Sequence, residues 1–258
     1  MSQNPTEPIP SSLESKETLT EMTIWSHFSA LKQFILWAFG STFLGALFSL
    51  IFIDHIWSFL MWPFPSQSKA VLMNITPQDA IFINLRIAML GGVILASPII
   101  IWRFYRFLAP GLFIKEKSLI LPLIFWSVFF LLGGCSFAFG IVVPLSLNFL
   151  QNYGHVGISQ SWTQQSYLDF VIRVTGAFGL MFEIPVFCWI LAKMGLLSSA
   201  FMKEQFRMAI VVIFILAAIL TPPDIASQLM LALPMIILYA MSILIVKKVE
   251  KKSELCLD

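Results

Sequence analysis

The chain has 258 residues, 58% of them hydrophobic and only 12% charged, with a mean hydropathy of +0.86. Soluble domains carry about 25% charged residues, so a water-soluble globular protein is excluded. A net charge of +2 leaves too little positive field to hold a nucleic-acid backbone.

In chain order, residues 1–21 hold Pro5, Pro8 and Pro10, several serines and more acids than bases. That composition is too polar to bury a core and predicts a disordered tail. It also lacks the basic start and apolar centre of a signal peptide. From Thr18-Leu-Thr-Glu21, a capping-box pattern, Ile24, Phe28 and Leu31 fall on one helical face. This stretch is either an interfacial amphipathic helix or the first turns of the apolar run that follows.

Crossing about 30 Å of hydrocarbon takes about 20 mostly apolar residues. Such runs fall at 34–53, 80–102, 119–142, 168–192, 208–220 and 225–246. The expected fold is therefore an all-α membrane protein with six transmembrane helices in one domain, 22–246, followed by a tail, 247–258. The fifth run reaches only about 20 Å at 1.5 Å per residue, and the final two are read as short helices; either the membrane thins there or the turn between them lies inside it. Thirteen of the 16 Lys and Arg residues lie at the N-terminus, after span 2, after span 4 or after span 6. The positive-inside rule then puts both termini in the cytoplasm.

The loop after span 1 (Trp57, Phe59, Trp62, Pro63, Phe64) is aromatic enough to lie at the outer interface. Thr76-Pro77-Gln78-Asp79 opens span 2, with Thr76 as N-cap. Pro98, Pro122, Pro144, Pro185 and Pro234 bend the helices, predicting a curved bundle with a concave face. Ala88, Gly92 and Ala96 let span 2 approach a neighbour closely.

No His-Glu-x-x-His, Gly-x-Gly-Asp or phosphate-loop pattern occurs. The cysteines (Cys135, Cys188, Cys256) and histidines (His27, His55, His155) are scattered, so no metal or other cofactor and no enzymatic role are expected. The polar groups that stand out are few. Glu183, in Phe182-Glu-Ile-Pro185, is an acid inside span 4, where a charge costs about 3 kcal/mol or more. It either receives a ligand or partner helix, or donates a structural bond to a carbonyl freed by Pro185. Asp224, in Thr221-Pro222-Pro223-Asp224, caps the last helix, with Gln228 one turn later on the same face. Glu116 sits between Lys115 and Lys117 after Phe107-Leu-Ala-Pro110, either as a solvated pair or as a carboxylate able to take a guanidinium bidentately.

Phe107-Leu-Ala-Pro110 with Glu116, Phe182-Glu-Ile-Pro185, and Leu220-Thr-Pro-Pro-Asp-Ile-Ala-Ser-Gln228, in this order on six spans, resemble TatC, the multispanning receptor subunit of the twin-arginine protein translocase. The resemblance covers nearly all of the chain after residue 22. It implies binding of twin-arginine signal peptides at the cytoplasmic face of the bacterial inner membrane. It also implies export of folded proteins by the proton-motive force with TatA- and TatB-like single-span partners, in a complex with several copies of the chain amid membrane lipid. By position, Glu116, with Leu112 and Lys115, contacts the signal peptide. Glu183 is the polar spot in the concave wall, and Gln228, Asp224 and Thr221 meet a partner helix. Pro63, Pro110, Pro185, Pro222 and Pro223 are structural. The family pattern His-Leu-x-Glu-Leu-Arg before span 1 reads here His27-Phe28-Ser29-Ala30-Leu31-Lys32, so one carboxylate–guanidinium contact is missing, and Glu21 is the nearest acid to replace it. The competing reading is a proton-coupled secondary transporter of a small solute, with Glu183 as proton carrier.

Overall fold

The computed structural model describes residues 11–64, 72–108, 120–152, 162–220 and 225–254. Five helical stretches are long and apolar enough to cross a membrane: Phe28–Ile51, Asp79–Phe107, Leu121–Gln151, Gln164–Lys193 and Ser227–Lys251. A shorter apolar helix, Phe206–Leu220, precedes the last of them. Running alternately up and down, these six helices put Phe28 and Lys251, the span ends nearest the termini, at one end of the bundle.

Helix α1 (Ser11–Ile51) is one continuous rod. Residues 11–21, expected as part of a disordered tail, fall within the range of α1. Leu13, Glu14, Lys16, Glu17, Leu19 and Glu21 are strong helix formers and run unbroken into the apolar stretch. Of the two readings for residues 18–31, continuity favours the first turns of span 1. The aromatic segment expected as a loop contains a short helix, α2 (Ile53–Leu60), which buries Leu60 and leaves Phe59 and Trp62 exposed. Phe59 stacks on Phe139 at 4.7 Å between ring centres. Pro63 is buried just beyond the helix end, where its missing N–H costs no helical bond.

Helix α3 (Asp79–Leu108) starts at a capping box. The Asp79 carboxylate accepts the backbone N–H groups of Ile75 (3.0 Å) and Thr76 (2.9 Å), and the Thr76 hydroxyl donates to the same carboxylate. Helix α1 packs chiefly on α3, through the small residues expected. A Cβ built on Gly92 would lie 2.6 Å from the Thr42 carbonyl oxygen, and one on Gly45 would lie 2.8 Å from that of Gly92. Only glycine permits this approach.

Span 3 runs ten residues past its expected end, as α4 (Ile120–Phe137), a π-helical turn (Ala138–Val142) and α5 (Val143–Asn152). Pro144 has no N–H to give the preceding turn, and the wider π turn absorbs the mismatch without ending the helix. Span 4 is divided into α6 (Gln164–Phe182) and α7 (Ile184–Lys193), broken at Glu183 just before Pro185. Thr163 caps α6 by accepting from the Ser166 N–H at 3.0 Å. Gly195, at φ 70°, closes α7: Leu196 N–H donates to Leu191 O (2.9 Å) and Gly195 N–H to Ala192 O (3.0 Å), a Schellman turn that needs left-handed backbone.

After α8 (Ser199–Glu204), α9 (Phe206–Leu220) has 15 residues, about 22 Å at 1.5 Å per residue. The fifth span is thus short, as expected. The last helix, α10 (Ile225–Glu254), is not: it has 30 residues, so the reading of two short final helices is corrected. Its basic residues from Lys247 onward continue the helix past the apolar run, since Lys and Glu are good helix formers.

At the end away from the termini, β1 (Leu72–Met73) pairs in parallel with β2 (Trp162–Thr163) and ties together the two connections there. Below that strap, Tyr167 donates to the Leu60 carbonyl at 2.5 Å and meets Phe64 edge-on. The largest core joins α3, α5, α6, α9 and α10 around Ile87, Leu147, Tyr167, Phe178, Leu231 and Met235. Two smaller clusters hold the termini end: Cys188, Met202 and Val246 on one side, Tyr105, Leu123 and Ile190 on the other.

Candidate intramembrane site

Glu183 stands at the break that Pro185 imposes on span 4. Ten residues separate it from Lys193, about 15 Å of helix, so it lies in the half of the bundle nearer the termini. The break turns its side chain toward α4. There the Ser127 hydroxyl donates to Glu183 Oε2 at 2.7 Å, and the Tyr105 hydroxyl of α3 lies 2.5 Å from Ser127 Oγ. Ser127 has a single hydrogen and gives it to the carboxylate, so Tyr105 is the donor of the second bond. Ser127 is fully buried and Tyr105 nearly so. Of the two readings of Glu183, the bond to a carbonyl freed by Pro185 is not found among the described residues: a hydroxyl of the neighbouring helix occupies one carboxylate oxygen.

The other oxygen, Glu183 Oε1, is buried without a hydrogen-bond partner among the described residues. A buried polar atom in that state loses a water bond and gains none, at a cost of about 1–3 kcal/mol. The arrangement therefore holds the carboxyl rigidly by one oxygen and leaves the other for a donor from elsewhere. An apolar hollow of about 330 Å³ opens between α4 and α7, with Trp126, Phe130, Pro185 and Trp189 in its wall; Glu183 is not in its lining, and Pro185, two residues on, is.

Gln228 lies at the opposite end of the bundle, on the first turn of α10, and its amide nitrogen donates to the Phe214 carbonyl of α9 at 3.0 Å. That bond staples the last two helices. It is not connected to Glu183, whose hydrogen bond runs to α4. Glu116, Leu112, Lys115 and Pro110 lie outside the described residues, as do Thr221, Pro222, Pro223 and Asp224. Ala30 and Lys32 lie on α1, Lys32 exposed.

Sequence reasoning missed the roles of four residues. Ser127 and Tyr105 are single hydroxyls in apolar runs, and nothing in the linear pattern separates them from packing residues. Arg86 and Asp169 form an ion pair between α3 and α6, each about one-third exposed. The signal for that pair was present, since two opposite charges inside spans call for each other. Among the described residues no three His, Cys, Asp or Glu side chains gather as metal ligands.

Residues 26–234 match the family model described as "TatC: Sec-independent protein translocase protein (TatC)". A Sec-independent protein translocase protein TatC from Helicobacter pylori strain J99 is 35% identical over 224 residues, covering 87% of this chain and 88% of the relative. The one from Carboxydothermus hydrogenoformans is 37% identical over 233 residues, 90% and 95% of the two chains. The one from Campylobacter jejuni is 42% identical over 188 residues, 72% and 76%. Among solved structures, a crystal structure of the twin-arginine translocase receptor TatC superposes with a TM-score of 0.78 at 28% identity, covering 86% of this chain and 99% of that one.

Proposed function

Because the chain belongs to the TatC family of Sec-independent protein translocase proteins, we propose that it is the subunit that receives twin-arginine signal peptides and gathers the single-span partners of the translocase. The role is assembly, not catalysis. Folded cargo is exported across the bacterial inner membrane by the proton-motive force, with both termini of this subunit in the cytoplasm.

The observation that carries this reading is the half-satisfied carboxyl of Glu183. A carboxyl held by Ser127, itself bonded to Tyr105, with Oε1 unpaired among the described residues and an apolar hollow starting at Pro185, two residues on, suits a docked apolar helix that brings one polar donor. A signal peptide has this make-up, an apolar stretch behind its arginines. Glu116, with Leu112 and Lys115, takes the arginine pair at the cytoplasmic face, where a carboxylate binds a guanidinium bidentately. The apolar stretch then enters the bundle beside Glu183. Gln228, with Thr221 and Asp224 of the neighbouring turn, meets a transmembrane helix of a TatA- or TatB-like partner. Gln228 already bonds to Phe214 through its amide nitrogen, which orients its carbonyl oxygen as the acceptor for that helix. The small-solute carrier reading rested on Glu183 alone, and translocase membership displaces it.

Recognition here operates with Ala30 where the family pattern has an acid, so Glu116 bears it without the second carboxylate. Site-specific crosslinking in membranes containing the partners tests this, using signal peptides with two arginines or two lysines. The expected result is an arginine-dependent crosslink that Glu116→Ala abolishes. Equal crosslinking of both peptides, or none, refutes twin-arginine recognition by this chain.

A further inference from the structure

A groove of about 530 Å³ runs along the seam of α1 and α3, with Gly40, Ser41, Leu44 and Phe48 in one wall and Leu95 and Ile99 in the other. Two local facts open it. A Cβ on Gly40 would meet nothing within 4 Å, so the missing side chain leaves a furrow. The Ser41 hydroxyl is turned back onto its own helix, donating to Trp37 O at 2.6 Å, so the wall is apolar despite a serine in it.

Positive charge is confined to one end. Trp37 lines the groove, and the Arg103 guanidinium lies 4.2 Å from its ring centre and 5.2 Å from that of Trp102. Arg103 Nε is buried with no hydrogen-bond partner, and no ion pair to Arg103 or Lys32 exists among the described residues. Lys32 is exposed one turn before Leu36, which also lines the groove. We infer that this groove holds one acyl chain of an anionic phospholipid, whose phosphate is bound by Arg103 and Lys32.

Three features select this occupant. The site is amphiphilic in the order of a lipid, cationic and Trp-flanked at the interface and apolar below it. The guanidinium fork matches phosphate oxygens and satisfies the orphaned Nε. The length fits one leaflet: from Leu36 to Phe48 the wall rises about 18 Å at 1.5 Å per residue, against about 15 Å for half of a hydrocarbon core of about 30 Å.

The test is native mass spectrometry of the purified full chain, titrated in detergent with phosphatidylglycerol, with phosphatidylcholine, and with phosphatidylglycerol in the presence of inorganic phosphate. Phosphatidylglycerol is expected to be retained about tenfold more tightly than phosphatidylcholine. Lys32→Gln with Arg103→Gln is expected to remove that preference, as loss of charge-assisted bonds requires. Gly40→Leu, which fills the furrow with no backbone to displace, is expected to cut retention of phosphatidylglycerol with an unchanged circular dichroism spectrum. Equal retention by these variants overturns the site. Displacement by inorganic phosphate at equal concentration overturns the acyl-chain assignment and leaves a simple anion site. A crosslink from Gly40→Cys to a single-span partner overturns the lipid in favour of a protein helix.

Discussion

Replacing Gly92 by alanine tests how the first span is held. A Cβ there would lie 2.6 Å from both the Ala46 nitrogen and the Thr42 carbonyl oxygen, and 3.0 Å from the Ala46 Cα. These are backbone atoms, so no rotamer change relieves the overlap. Comfortable contact is about 3.5–4.0 Å, so α1 must move off α3 by close to 1 Å, and a gap of that size forfeits a quarter to a half of each neighbouring dispersion contact. Overpacking of this kind costs about 1–3 kcal/mol. The higher helix propensity of alanine does not offset it, because in a bilayer both helices stay helical when they separate. At 1.4 kcal/mol per decade, the separated state becomes about 5- to 150-fold more populated. A thiol introduced by Ser49→Cys reads this directly: Ser49 is 2% exposed in the seam, so maleimide labels it only when the helices part. With Cys135, Cys188 and Cys256 replaced by alanine, labelling should accelerate by that factor in Gly92→Ala. It should be unchanged in Gly40→Ala, whose Cβ meets nothing within 4 Å. Equal rates in the two variants would refute the close-packed seam.

Ser127→Ala should destabilise the bundle by about 1–3 kcal/mol, because it strands both the Tyr105 hydroxyl and the Glu183 carboxyl. Tyr105→Phe should cost about 1 kcal/mol, and the double variant less than the sum, as read in a double-mutant cycle. Independent, additive effects would mean that the three groups do not form one network. Exchanging the charges, Arg86→Asp with Asp169→Arg, should recover the thermal stability lost in either single variant; failure to recover would show that the pair is held by its surroundings and not by mutual attraction. Gln228→Leu should lower stability by about 1 kcal/mol through the lost bond to Phe214, and should reduce crosslinking of α10 to a single-span partner. Normal partner crosslinking would confine Gln228 to stapling the last two helices. Glu250→Ala should loosen α8, whose Ser199 N–H it accepts at 2.8 Å, and raise amide exchange there by about tenfold; an unchanged exchange rate would make that cap redundant.

Much of this molecule is written in one dimension. A membrane helix satisfies its backbone internally, so apolar length announces each span without knowledge of its neighbours. The apolar helices, the short one at Phe206–Leu220 and the small-residue face of α3 were legible for that reason. So was Glu183, since an acid in an apolar run is anomalous wherever it points. Helix ends were less legible. Residues 11–21 continue α1 and Lys247 onward continue α10, because polar residues with good helix propensity extend a rod that the hydropathy pattern ends; Val143–Asn152 continue span 3 because the π turn before Pro144 lets the helix run on. The partners of Glu183 were not legible at all. Ser127 is 56 residues away and Tyr105 reaches the acid only through it, and which of many hydroxyls meets an acid depends on helix rotation and on the bend at Pro185. The pairing of Arg86 with Asp169, the strap of Leu72–Met73 on Trp162–Thr163 and the groove beside Gly40 likewise arise only when separate helices are laid together. Composition and periodicity are properties of a single helix, whereas a contact depends on two.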